Sequence, residues 1–79
     1  MSAQRFQTLD IRPLLNYGKE PFPVIRTAVD SLEPAEGLVL ITPFLPSPLI
    51  ELLQNEGFHA RPERRSDGSW QTAFNRAKA

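Results

Sequence analysis

The sequence predicts an α/β two-layer sandwich of order β-α-β-α-β-β, with two helices packed on one face of a mixed four-stranded sheet. Three observations carry that prediction. Two segments place apolar residues at helical spacing, and each opens on proline: Pro21 and Pro23 in one, Pro48 in the other. Between them runs Leu38-Val39-Leu40-Ile41-Thr42, an apolar strand bounded by Gly37 and Pro43. After them, Ser66-Asp67-Gly68 separates two strand-like runs and marks a tight hairpin turn.

Met1 to Gln4 read as a tail. Arg5 to Ile11 alternates Phe6, Thr8 and Asp10 with Gln7, Leu9 and Ile11, a short strand whose inward face is mixed. Pro13 ends it, because proline gives the ladder no N–H. Leu14 to Lys19 is expected to be a connecting loop, with Leu14, Leu15 and Tyr17 turned inward. Ile25, Ala28, Val29 and Leu32 then fall at i, i+3, i+4 and i+7, the buried stripe of an amphipathic helix that Pro34 stops. The apolar strand that follows reads as buried on both faces or nearly so and parallel to the first, a βαβ unit. Ser47 is the expected N-cap of the second helix, Leu49, Leu52 and Leu53 its buried stripe, and Gly57 its stop. In the hairpin, Trp70, Thr72 and Phe74 share one face against Phe58 and Ala60, and Pro62 belongs at an edge or a bulge.

Composition narrows the function classes. A chain of 79 residues makes one domain, with an ordered core expected over about residues 5–75. It has no cysteine, which excludes disulfides, thiolate metal sites and persulfide chemistry, and its one histidine cannot build a metal cluster alone. No cofactor or metal is therefore expected. No apolar run approaches the ~20 residues of a membrane span, and cytoplasmic is the expected compartment. The formal charge of zero hides an asymmetry: residues 1–57 carry four basic and seven acidic side chains, residues 58–79 five basic and two acidic. Even so, the basic excess is far below that of a nucleic-acid domain.

Three segments together, Leu9-Asp10-Ile11-Arg12, Pro21-Phe22-Pro23 at a helix start, and Leu32-Glu33-Pro34-Ala35-Glu36 before an apolar strand, resemble the TusA/SirA-like sulfur-carrier superfamily. The resemblance covers about residues 8–75 and implies the same β-α-β-α-β-β sandwich. The sulfur carriers place their reactive cysteine directly before the first proline of the helix, where this chain has Glu20. Pro13 replaces their usual glycine, and the loop before Glu20 is about four residues longer than theirs. The chain is most similar to a cysteine-less, uncharacterised bacterial branch of that superfamily. Members of that branch occur beside hemerythrin-like and respiratory or nitrogen-oxide proteins, which implies an accessory or docking role in sulfur transfer or redox metabolism.

A carboxylate cannot carry sulfur, but Glu20 could satisfy the free N–H groups of its helix as a cap, or serve as a recognition residue. Asp10 and Arg12 stand at the carboxyl end of the first strand, where open α/β sheets gather ligands. Their structural alternative is an Asp–Arg pair holding a long connection together. Phe44 and Leu45 either form an exposed interaction patch or close the end of the core. Arg61, Arg64 and Arg65 with Trp70 could contact RNA, yet Glu63 and Asp67 among them favour an ordinary solvated hairpin. The expectation is a non-enzymatic module that binds another protein or a small ligand, with Asp10, Arg12, Tyr17, Glu20, Pro21, Phe44 and Leu45 as candidate binding residues.

Overall fold

The computed structural model describes residues 5–76, so the tail expected over residues 1–4 lies outside it. Four strands form one sheet: β1 (Arg5–Asp10), β2 (Glu36–Thr42), β3 (Phe58–Arg64) and β4 (Trp70–Arg76), in spatial order β1-β2-β4-β3. β1 and β2 are parallel, and β4 runs antiparallel to both β2 and β3. Three helices connect them: α1 (Arg12–Asn16), α2 (Phe22–Asp30) and α3 (Ser47–Asn55). The element order is therefore β-α-α-β-α-β-β, an α+β fold with a mixed four-stranded sheet.

The additional helix, α1, occupies part of the expected loop. Proline ends the strand but is also harmless in a helix's first turn, where its missing N–H has no partner to lose. The Asp10 carboxylate accepts the Arg12 backbone N–H at 3.0 Å and turns the chain into that helix. Gly18 ends it with φ of 68°, while the N–H of Lys19 reaches Leu14 O and that of Gly18 reaches Leu15 O, a Schellman closure. Leu14 and Leu15 pack against the core as expected, but Tyr17 is 81% exposed. It sits at the C-cap, one residue past the end of α1.

Both longer helices cover the same face of the sheet. Ile25, Val29 and Leu53 meet Leu38 and Leu40 of β2, Phe58 of β3 and Phe74 of β4 in one core, each at most 4% exposed. Arg26 ties α2 to the end of α3, pairing with Asp30 and with Glu56 at 2.8 Å each. β2 is not buried on both faces. Leu38, Leu40 and Thr42 are sealed, whereas Val39 and Ile41 on the other face are only half-buried. The apolar run reflects β2's central place between β1 and β4, not a second covering layer. Pro62 lies on edge strand β3 opposite Thr72, as the missing N–H requires.

Two residues test the packing. The Phe6 ring lies across β1 and β2 over Gly37, and a Cβ there would collide with that ring and sit 2.7 Å from the Phe74 carbonyl oxygen. Gly37→Ala should therefore cost about 1–3 kcal/mol in urea unfolding, as overpacked sites do. Thr72 is fully buried, and its hydroxyl has no hydrogen-bond partner among the described residues. Thr72→Val keeps the shape and removes the stranded group, so the same experiment should show a gain of about 1 kcal/mol.

Candidate functional site

The two parallel strands end where α2 and α3 begin, and this shared end holds a groove. It encloses about 310 Å³ between the start of α2 (Pro21, Phe22, Ile25), the turn before α3 (Phe44, Pro46) and α3 itself (Pro48, Leu49, Leu52). Ile11 and Thr42, at the ends of β1 and β2, form its floor. Among the described residues, Thr42 is the sole polar side chain in the lining, and its hydroxyl donates to the Phe44 carbonyl. That bond also fixes the turn carrying Phe44. The walls are apolar, yet Phe22 is 45% and Phe44 53% exposed at the mouth. Leu49 and Leu52, expected in the core, are half-buried because they face this opening.

Prolines shape the groove. Pro21 is the N-cap of α2 and Pro46 that of α3, one residue earlier than the Ser47 cap expected, and neither helix has a side-chain cap among the described residues. Glu20 therefore does not cap α2. With a proline at the N-cap and another in the first turn, few N–H groups remain to be capped. Glu20 is exposed outside the groove lining, as are Tyr17 and Leu45, the last 42% exposed.

Asp10 and Arg12 are committed to each other. Arg12 Nη2 lies 2.7 Å from one Asp10 oxygen and Nε lies 2.9 Å from the other. Arg12 Nη1 then reaches Asp67 Oδ2 in the β3–β4 turn at 3.2 Å, joining the hairpin tip to the end of β1. Asp67 also accepts the Ser69 N–H and hydroxyl, and these bonds hold its carboxyl down at about 2. The hydrogen bonds from Arg12 likewise hold Asp10 below the usual carboxylate range.

The structure thus brings together Pro21 and Phe44 of the expected binding residues and sets Asp10 and Arg12 beside them as a bracing pair. The other members of the groove have a legible signal. Extending the Ile25–Val29 stripe one turn back reaches Phe22 and Pro21. Among the described residues, no group of three or more His, Cys, Asp or Glu side chains could hold a metal ion, and no helix is long and apolar enough to cross a membrane. His59 is exposed on β3.

These features define a small α+β domain with an apolar groove at the carboxyl ends of its parallel strands. The chain belongs to a family described as an uncharacterized conserved protein (DUF2249), whose pattern matches residues 8–76. No curated protein and no solved structure matches it.

The lowered carboxylates set an acid limit. A group whose folded pKa is depressed stabilises the fold above its unfolded pKa and loses that contribution as pH falls through the folded value. Asp67 should thus stabilise the hairpin tip fully above about pH 4 and progressively less down to about pH 2. In urea unfolding from neutral to acid pH, the stability gap between the wild type and Asp67→Asn should narrow across that window. A gap that stays constant would refute the role of the Asp67 carboxylate.

Proposed function

We propose that this chain is a non-enzymatic binding module, and that its groove takes an apolar group from a protein partner or a small ligand. The observation that carries this reading is the groove itself: about 310 Å³, apolar-walled, with Phe22 and Phe44 standing exposed at its mouth. A small domain does not ordinarily leave two phenylalanines in water beside a concave apolar surface. Burying them against a ligand removes apolar area from water at roughly 25 cal/mol per Å². Tyr17, Glu20 and Leu45 are exposed close to the groove in sequence and would supply its rim contacts.

A catalytic role finds little support in this surface, because among the described residues none that lines the groove has a titratable side chain to move a proton. Nucleic acid is a poor fit as well. Arg12 and Arg26 are paired with carboxylates, and the β3 arginines divide between the two faces of the hairpin.

A second reading draws on the resemblance to sulfur carriers: docking in a sulfur-transfer or redox pathway through the surface a carrier would use. Its support is the proline-opened α2 and the parallel β1–β2 pair around it, with Glu20 where a carrier holds its thiol. Incubation with a cysteine desulfurase and labelled sulfur should leave this chain unlabelled, whereas a complex with the desulfurase would favour the docking role.

The groove reading is tested with an environment-sensitive apolar dye, anilinonaphthalene sulfonate. Fluorescence should rise on binding to the wild type and return to background in Phe44→Asp, while His59→Ala on edge strand β3 leaves it unchanged. Glu20→Ala should shift unfolding free energy by no more than about 0.5 kcal/mol, the usual range for a surface change away from caps and networks. Dye binding that survives Phe44→Asp would place the apolar site elsewhere.

A further inference from the structure

Among the described residues, no helix covers the sheet face away from α2 and α3, and its residues form a pattern that complements itself. One row crosses it through Val39, Ala73 and Arg61, and the next through Ile41, Gln71 and Glu63. We propose that a second copy of the chain docks on this face, sheet against sheet, about a two-fold axis running between the two rows and across the strands. Each strand then stacks on its own counterpart in the other copy. Arg61 of one copy lies over Glu63 of the other, twice. Val39 lies over Ile41, and Ala73 over the aliphatic part of Gln71, so the apolar centre is covered and the charges fall at the rim.

Three observations favour this occupant. Val39, Ile41 and Ala73 are half-buried and Phe6 beside them is 39% exposed, an apolar strip that no other described element covers. Shallow concavity between Phe6, Val39, Ala73, Arg61 and Glu63, about 190 Å³, leaves room for side chains to interdigitate. Arg61 and Glu63 form no ion pair among the described residues, so each is available to an opposite charge, and their spacing on one strand suits a copy of itself. Other modes are less favoured: edge pairing through β3 meets Pro62, which offers the new ladder no N–H.

The area sets the strength. Strands ~4.8 Å apart and rising ~3.3 Å per residue make a face about 20 Å square, roughly 400 Å² per copy. That places the dimer among small, transient interfaces, with a dissociation constant in the micromolar range or weaker.

Sedimentation equilibrium from about 1 μM to about 1 mM should show the mass rising from monomer towards dimer, a span that covers such affinities. Arg61→Glu and Glu63→Arg should each weaken association about tenfold, because each places two like-charged pairs across the axis. The double variant Arg61→Glu with Glu63→Arg should restore it. Both side chains are exposed, and an unchanged melting temperature checks that the fold is intact. A chain that stays monomeric at about 1 mM, a dimer indifferent to either charge reversal, or a dimer removed by Phe44→Asp instead would overturn the proposal.

Discussion

Parallel pairing of β1 with β2 is the constraint from which the rest of this structure follows. Two parallel strands cannot be joined by a tight turn, so the chain must travel back along the sheet, and α2 makes that return. The crossing places α2 on one face and delivers both strands to the same end. α3 starts from that end after β2 and covers the same face, with Arg26 joining the two helices through Glu56. One covered face, one open face and one end where strands finish and helices begin are the direct results.

That end combines apolar walls with a polar brace. The prolines that open α2 and α3 lower the demand for side-chain caps, and Pro21 and Phe22 at one entry and Pro46 and Pro48 at the other line the groove. Rigidity comes from beside the groove. Asp10 orients Arg12, Arg12 reaches Asp67, and Asp67 holds Ser69, so the end of β1 and the hairpin tip are fixed together. These groups are solvent-accessible, and surface pairs contribute modestly to stability. Their larger effect is positional: they hold α1 and the hairpin tip on either side of the strand ends.

Much of the fold was legible because local rules agreed with the tertiary result. The Ile25–Leu32 stripe, the proline starts, the Asp-Gly turn and Pro62 on an edge each follow from backbone or packing rules that act over a few residues. Where the reading departed from the structure, a local rule had two outcomes. Pro13 closes a strand and opens a helix with equal ease, and Asp10 decided between them by accepting the Arg12 N–H. Leu49 and Leu52 carry a core pattern, yet the wall of an apolar groove has the same pattern as a core. An acid before a helix suggests a cap, but Pro21 and Pro23 had removed two of the four donors it would serve.

By itself, then, the sequence determined the strand and helix segments, the absence of thiol chemistry and the position of the edge proline, since each depends on residue type and near-neighbour spacing. Only the tertiary structure decided that β2's second face stays half-open, that Asp10 and Arg12 bind each other and the hairpin tip, and that Phe22 and Phe44 meet across one groove. Those outcomes depend on which layers are stacked and which ends coincide. The contacts join residues far apart in the chain, and no local spacing specifies them.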